Sequence, residues 1–246
     1  MTLQFSDDGE TLFSSGWDGS ILSWNMQSYE LNEPAEGERT TGMACACPVN
    51  NVLAYKTSKG QLKLIDSTNG QLMKVIDMPG YADEAISFSP DGTKIAAGGQ
   101  SESDVLTGVW DVASGEKIHE WKWAKGRDPH SNITDLCFSP DGSKIGVANF
   151  RQRRGFLLDL ETKEQKYSFQ HQGVYGLSFD STGRILTTVG WDSAVKFWNA
   201  ETGDREPTAN VQFPQQGEEG YEADLRMYDV CSVSYTHLTL PTIYSV

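Results

Sequence analysis

The sequence predicts an all-β fold built from repeated units of four short strands. The pentamer Phe-Ser-Pro-Asp-Gly occurs at 88–92 and again at 138–142, and weaker copies stand at 5–9, 47–51 and 179–183. The starts of these five turns are 42, 41, 50 and 41 residues apart in chain order. No segment between them shows the 3.6-residue periodicity of a helix. Turn residues at this regular interval predict a repeat protein made of strands.

Each unit is predicted to contain four strands in a fixed order. A short apolar strand leads into the turn, and Pro, Asp and Gly in that turn favour a reversal between antiparallel strands. A second strand follows, as at 184–189. The third strand ends in a large apolar residue and then Asp or Asn, as in Trp110-Asp111 and Trp198-Asn199. After another polar turn, a fourth strand such as 117–122 completes the unit.

Composition excludes several classes of protein. The chain has 246 residues, with 20 Lys and Arg against 34 Asp and Glu, a formal net charge of −14. A generally basic surface for nucleic acid is therefore excluded, and we expect no nucleic-acid partner. No apolar run approaches the roughly 20 residues of a membrane helix, so we expect no membrane partner. The four cysteines form no dense framework, and with no visible export signal they favour a cytoplasmic protein.

Four strands about every 41 residues are typical of a β-propeller blade, and the sequence resembles the WD-repeat family over roughly residues 1–213. The resemblance implies five four-stranded blades and the start of a sixth, in an open or incomplete ring. The predicted blades are 1–36, 37–80, 81–126, 127–172 and 173–216, with a truncated sixth at 217–232.

The resemblance also implies a buried hydrogen-bonded set in each blade: His before the first strand, Ser or Thr in the second, Asp in the next turn, and Trp in the third. Blade five has all four members, blade one has three, and blade three has two, with Ala97 at the hydroxyl position. Blade four offers only His130, and blade two keeps almost none. The matching residues are His171, Thr188, Asp192 and Trp198; Ser14, Asp18 and Trp24; and Asp104 and Trp110.

A Ser/Thr, His and Asp set could also be interpreted as a catalytic triad. We favour a structural role because a buried Trp N–H and a buried hydroxyl each need a partner, and Asp and His supply them. The predicted innermost strands are apolar or small, which argues against convergent catalytic groups near the axis. We therefore expect no catalytic residues and no cofactor.

Candidate partner-binding residues lie in the loops between the second and third strands. Trp17 and Trp191 occupy equivalent loops of blades one and five, and the one basic cluster, in blade four, contains Arg151, Arg153 and Arg154. Exposed Trp and Arg dominate interface energetics. The alternatives are that the tryptophans pack on neighbouring blades and that the arginines form a solvated loop.

Two thiols, Cys45 and Cys47, share one strand face and could suggest half of a zinc site. No Cys/His pair at matching spacing completes it, so we expect buried structural cysteines and no metal site.

Both ends of the chain depart from the repeat. Residues 233–246 resemble a translated sequencing adapter, so we expect a non-native tail that makes no consistent strand pairing. Blade one opens in its first strand, which leads us to expect a fragment of a longer reading frame. Blades one and five should then each show a face that no neighbour covers, and we expect the chain expressed alone to self-associate.

The favoured function is a non-catalytic scaffold or recognition module that binds protein partners. Two alternatives remain. One is an enzymatic or cofactor-bearing propeller of the hydrolase or quinoprotein kind. The other is a recognition domain whose catalytic domain lies outside this sequence.

Overall fold

The computed structural model describes residues 2–5, 9–15, 21–31, 40–57, 59–68, 71–81, 85–124, 132–192, 194–206 and 211–212. These ranges contain strands and turns and no helix. Accordingly, they hold no helical segment with the length and apolar character that a membrane crossing needs. The predicted sixth blade and the 233–246 tail lie outside the described residues.

Nineteen strands follow one another along the described chain. They are β1 (Thr2–Phe5), β2 (Thr11–Ser15), β3 (Ile21–Asn25), β4 (Thr40–Ala46), β5 (Val52–Thr57), β6 (Gln61–Asp66), β7 (Leu72–Asp77), β8 (Ile86–Phe88), β9 (Lys94–Gln100), β10 (Asp104–Asp111), β11 (Lys117–Ala124), β12 (Ile133–Phe138), β13 (Lys144–Asn149), β14 (Arg154–Asp159), β15 (Gln165–Gln170), β16 (Val174–Phe179), β17 (Ile185–Gly190), β18 (Ala194–Asn199) and β19 (Val211–Gln212).

The strands form five separate antiparallel sheets in chain order, which confirms the predicted all-β class. Each sheet is one blade: β1 to β3, β4 to β7, β8 to β11, β12 to β15, and β16 to β19. The first strands of successive blades contact one another, so they form the inner wall of the arrangement. No sheet of the described residues joins blade one to blade five.

Blade one shows three strands among its described residues. Where a fourth strand would begin, Leu31 pairs with Trp24 through an isolated bridge, and residues 32–39 are outside the described ranges.

The two complete pentamer turns have the same internal hydrogen bonds. In the first, the Ser89 hydroxyl donates to Asp91 Oδ1 at 2.6 Å and accepts the Lys94 backbone N–H at 2.9 Å. Gly92 lies in the left-handed region at φ 68°, where a side chain would be strained. Hydrogen bonds from Ser89 and, to a smaller extent, from Thr93 lower the pKa of the Asp91 carboxyl to about 2. The pentamer thus carries its own closing bonds, which explains its repetition.

The buried core consists of four apolar layers, each shared by two successive blades. Phe13 of blade one packs in one layer with Leu53 of blade two. The other three layers join blades two and three, three and four, and four and five. Representative pairs across them are Ile76 with Trp110, Val109 with Phe156, and Leu157 with Trp198.

Neighbouring residues on one strand serve different layers because side chains alternate across a sheet. On β9, Ala97 faces blade two and Ala96 faces blade four. On β14, Phe156 packs toward blade three and Leu157 toward blade five. In the part of the chain that the structure describes, no blade therefore has a core of its own.

Polar contacts also cross between blades. Trp123 on β11 stacks on Phe156 of blade four at 4.5 Å between ring centres, and its indole N–H donates to Gln165 at 2.8 Å. Nearer the axis, Asp135 Oδ2 on β12 accepts the backbone N–H of Leu177 on β16 at 2.8 Å. These bonds fix the relation of adjacent blades at the outer edge and at the inner wall.

Candidate functional site

Blade five contains a continuous chain of hydrogen bonds through four side chains, which we call the brace (His171, Thr188, Asp192 and Trp198). The Trp198 indole N–H donates to the Thr188 hydroxyl at 2.9 Å. Thr188 Oγ1 lies 2.8 Å from His171 Nδ1, and His171 Nε2 lies 2.7 Å from Asp192 Oδ1. The brace therefore links the third strand of the blade to the loops before its first strand and after its second.

The donor and acceptor roles in the brace follow from the chemistry of its ends. Trp198 can only donate, and an ionised Asp192 can only accept. The Thr188 hydroxyl must then donate to His171 Nδ1, and His171 must carry its proton on Nε2. Burial lowers the pKa of His171 below its ordinary value of 6.5, against the opposing effect of Asp192. A neutral imidazole with the Nε2–H tautomer satisfies every atom of the chain.

Asp192 remains ionised although it is partly buried. Burial alone would raise the pKa of its carboxyl, but hydrogen bonds from His171 and Lys196 outweigh that effect and hold the pKa at about 2. Lys196 Nζ on β18 lies 2.8 Å from Asp192 Oδ2. The carboxylate thus accepts from a neutral imidazole and from a cationic ammonium, and the Ala194 backbone N–H also donates to its Oδ1 at 3.3 Å.

Trp198 also packs between two blades. Its ring is 8% exposed and stacks on Phe169 of β15 at 5.1 Å between ring centres. The brace thus fixes an aromatic ring that belongs to the layer between blades four and five.

Blade one has the same tryptophan-to-hydroxyl bond. The Trp24 indole N–H donates to Ser14 Oγ at 3.1 Å, across the same ten-residue separation as in blade five. Both side chains are less buried than their blade-five counterparts. Asp18 and Trp17 lie outside the described residues.

Blade three does not bring Asp104 and Trp110 together. Asp104, at the start of β10, accepts the Ser103 hydroxyl at 2.8 Å, and no hydrogen bond in the described part of the chain joins it to Trp110. Trp110 instead packs edge-on against Tyr81 at 4.7 Å, and the Tyr81 hydroxyl donates to Glu120. Burial and Glu120 together raise the pKa of Tyr81. A tyrosine and a glutamate therefore occupy the surroundings of this tryptophan.

Lys56 of blade two is equivalent to Thr188 of blade five. Each stands nine residues after the first residue of the repeated turn in its blade, which is Cys47 in blade two and Phe179 in blade five. Lys56 is 1% exposed, and its Nζ lies 3.1 Å from the Gly98 carbonyl and 3.4 Å from the Tyr81 carbonyl, both in blade three. The residue at the hydroxyl position of this blade therefore makes contacts between blades.

The three arginines of blade four surround a tight turn between β13 and β14. The Arg153 backbone N–H donates to the Phe150 carbonyl at 3.1 Å, and Arg153 has a positive φ of 53°. Arg151 lies over the Phe150 ring, with its guanidinium carbon 5.4 Å from the ring centre. Arg154 is the first residue of β14 and pairs with Gln170 on β15. All three arginines are exposed.

A cleft of about 400 Å³ opens between this turn and blade five, and we call it the basic cleft. It is lined by Gln152, Arg153, Arg154, Gln170, His171, Gln172 and Lys196. The His171 backbone N–H donates to the Arg153 carbonyl at 3.2 Å, so the arginine turn is tied directly to the brace. The cleft combines three cationic side chains with three amides and contains no carboxylate among its lining residues.

Trp191 belongs to an aromatic cluster beside the basic cleft. Its ring meets Phe150 edge-on at 4.7 Å, and Phe150 stacks on Tyr175 at 4.5 Å. Trp191 remains 48% exposed despite these contacts. The ring therefore packs against Phe150 of blade four and also presents a face to solvent, and partner binding through that face stays a prediction.

The hydroxyl of the brace is not available as a nucleophile. The Thr188 hydroxyl is fully buried, and its oxygen is already held by Trp198 and His171, so it cannot reach a substrate. Within the described ranges, no three His, Cys, Asp or Glu side chains lie close enough together to hold a metal ion. Cys47 is buried and Cys45 half-buried, and neither forms a disulfide among the described residues.

Sequence reasoning missed three contributors to this site. Lys196 stands two residues before Trp198 on the same strand face, a spacing that could have placed it beside Asp192. Phe150 directly precedes the arginine cluster. Tyr175 gave no signal, because its contact with Phe150 depends on how two blades meet.

Comparison with known proteins agrees with this architecture. Residues 1–25 and 163–199 match the family model described as "WD domain, G-beta repeat". The two matched segments contain the two tryptophan-to-hydroxyl pairs, Ser14 with Trp24 and Thr188 with Trp198. The unmatched blades are those in which this pair is replaced.

Several curated relatives are similar to most of the chain. "Transcription factor unc-37" of Caenorhabditis elegans is 25% identical over 201 residues, 80% of this chain and 31% of the relative. "Protein groucho" of Drosophila melanogaster is 24% identical over 204 residues, covering 80% and 26%. "Transcriptional corepressor LEUNIG_HOMOLOG" of Arabidopsis thaliana is 22% identical over 205 residues, covering 81% and 24%. The chain thus spans about a third or less of the length of these relatives.

Proposed function

We propose that the chain is a WD-repeat protein that acts as a non-catalytic scaffold and binds a protein partner. The proposed binding face is the end of blades four and five that carries Arg151, Arg153, Arg154 and Trp191. Trp17 of blade one, which occupies the equivalent loop in the sequence, is included in the proposal.

One observation carries this proposal. Trp191 keeps about half of its surface in solvent while Phe150 and Tyr175 hold its ring in place. A large aromatic ring that is exposed and already ordered loses little entropy on binding, which is the usual character of an interface anchor. Arginines beside it supply the polar contacts that such anchors commonly have.

The brace has a supporting role in this proposal. It fixes the loop before β16 and the loop after β17. Trp191 lies in the second of these loops and contacts the first. The Trp191 backbone N–H lies 3.1 Å from the carbonyls of Gln172 and Gly173, which belong to the first of these loops. A buried hydrogen-bonded chain therefore underlies the exposed binding residues.

The names of the relatives extend the proposal to a biological setting. Two of those described above are named as a transcription factor and a transcriptional corepressor. We infer that this chain takes part in an assembly of the same kind. Such a role favours a nuclear location over the cytoplasmic one expected from the sequence, and immunofluorescence of a tagged chain would decide between them.

Affinity capture with the whole chain as bait tests the binding face. Proteins recovered from nuclear and from cytosolic extracts would be quantified for wild type, for Trp191→Ala, and for Met73→Ala as a matched control. Met73 is 60% exposed on the outer strand of blade two, away from the proposed face. Loss of an anchor residue should reduce partner recovery by roughly tenfold or more.

The control separates a specific face from general surface hydrophobicity. Met73→Ala should recover the same proteins as wild type. Equal loss with both variants, or unchanged recovery with Trp191→Ala, would remove this face from consideration.

A further inference from the structure

We propose that the basic cleft binds an acidic segment of the protein partner, with side-chain carboxylates held by Arg153, Arg154 and Lys196. This inference rests on the proposed function and adds the chemistry of the partner to it.

The charge around the cleft is locally uncompensated. Arg153 and Arg154 are exposed, and neither makes an ion pair with any side chain in the described part of the chain. Lys196 is paired with Asp192, which leaves the two guanidiniums as the unneutralised charge. These cations stand on a chain whose net charge is −14. A basic cleft on an acidic protein attracts anions locally while the rest of the surface repels them.

The backbone that carries the two guanidiniums is held in a fixed conformation. Arg153 is held at a positive φ by the turn from Phe150, and its carbonyl is bonded to the His171 backbone N–H. Arg154 starts a paired strand, opposite Gln170. Both backbones are therefore ordered before a ligand arrives, so binding orders only the side chains.

Carboxylates suit this arrangement for a chemical reason. The planar guanidinium offers a fork of N–H donors that matches both oxygens of a carboxylate. Two adjacent forks and one ammonium provide for two or more acidic side chains. The amides of Gln152 and Gln172, which also line the cleft, can bond the backbone of the same segment.

The aromatic cluster indicates what stands next to the acidic residues. Gln172 lines the cleft, and its carbonyl accepts the backbone N–H of Trp191. Trp191, in the loop after β17, is thus hydrogen-bonded to the loop that lines the cleft. The partner segment should carry a large apolar side chain beside its carboxylates.

Nucleic acid is the other polyanion that could use arginines beside aromatic rings. The net charge of −14 opposes it, because a phosphate backbone would meet repulsion outside the cleft. A folded partner can place one acidic segment in the cleft without bringing a long anion across the remaining surface.

The test measures peptide binding directly. Fluorescence anisotropy of the whole chain would be titrated against fluorescein-labelled hexaglutamate, a hexaglutamine control, a phosphoserine peptide and an oligothymidylate of similar length. We expect hexaglutamate to bind, to weaken as salt increases, and to bind more tightly when a leucine or tryptophan flanks the acidic run.

Variants assign that binding to the cleft. The double variant Arg153→Gln, Arg154→Gln should weaken hexaglutamate binding by roughly tenfold or more, since two charged hydrogen-bond donors are lost. Arg153→Lys with Arg154→Lys keeps the charge and loses the forks, so it should bind with intermediate affinity. Arg184→Gln is the matched control, because Arg184 is exposed in the turn between β16 and β17, at the opposite end of blade five.

Each outcome bears on the inference. Loss of binding confined to the Arg153 and Arg154 variants, with unchanged circular dichroism, supports it. Equal binding by all variants, preference for oligothymidylate, or binding of the phosphoserine peptide without hexaglutamate would overturn it. If hexaglutamate fails to bind while Trp191→Ala still abolishes partner capture, the acidic segment is wrong and the binding face stands.

Discussion

Thr188→Val tests whether the brace stabilises the protein as its geometry indicates. Valine keeps the branched shape and removes only the hydroxyl. The Trp198 N–H then loses its acceptor, and His171 Nδ1 loses its donor, both in a buried setting. Each buried polar group left without a partner costs about 1–3 kcal/mol. The free energy of unfolding should therefore fall by about 2–6 kcal/mol in total.

Thr187→Val provides the matched control. Thr187 is the neighbouring residue on β17 and is also buried, and its hydroxyl makes no hydrogen bond within the described ranges. The same chemical change there should alter stability by less than about 0.5 kcal/mol, as at sites without such a feature. Any general effect of valine on this strand is common to both variants and cancels in the comparison.

Urea unfolding followed by tryptophan fluorescence and by circular dichroism measures both variants. A double-mutant cycle with Trp198→Phe, which removes the N–H and keeps an aromatic ring, isolates the Trp198–Thr188 bond. If Thr188→Val and Thr187→Val shift the midpoint equally, or if the cycle shows no coupling, the brace does not stabilise the fold.

Two further predictions follow from groups described above. Burial lowers the pKa of His171 below 6.5, so below that pH the unfolded chain binds more protons than the folded chain. The free energy of unfolding should therefore decrease as the pH falls from about 6.5 toward the lower pKa of the folded state. Urea melts at a series of pH values should show a flatter pH dependence for His171→Gln than for wild type. Burial also lowers the pKa of His119, so part of the pH dependence should remain in the His171→Gln variant. A pH dependence as steep as that of wild type would show that His171 does not contribute to it. Asp135→Ala removes the acceptor that joins blade four to Leu177 and should cost about 1–3 kcal/mol, whereas Asp135→Asn, which keeps an oxygen acceptor, should cost less. Chemical denaturation measures both Asp135 variants, and equal midpoints would show that this bond between blades contributes nothing.

The fold was accessible from the sequence because its signals are local. The turn at 88–92 closes through its own Ser89, Asp91 and Gly92, so the residues that mark the repeat also build the turn between its first two strands. Spacing alone therefore locates the strands. The same holds for the ten-residue separation of Thr188 and Trp198, because both lie on adjacent strands of one hairpin.

The residues that replace members of the brace in the other blades could not be predicted from the sequence in this way. Lys56 stands at a hydroxyl position, yet its partners are carbonyls of the next blade. Tyr81 contacts Trp110 and Glu120 across long separations in sequence. The basic cleft likewise depends on Lys196 and Arg153 meeting across two blades. Contacts of this kind are set by how blades pack, which a pattern within one repeat does not encode.

The sharing of every core layer between two blades determines how the protein comes apart. Because each blade lacks a core of its own, a single blade is not a unit of stability, and the smallest cooperative unit is a pair. Energetically such an array resembles a chain of nearest-neighbour couplings. Unfolding can then start at an end and spread inward as successive layers lose one side. Amide hydrogen exchange should accordingly be slowest in blades two, three and four, each of which lies between two layers, and faster in blades one and five.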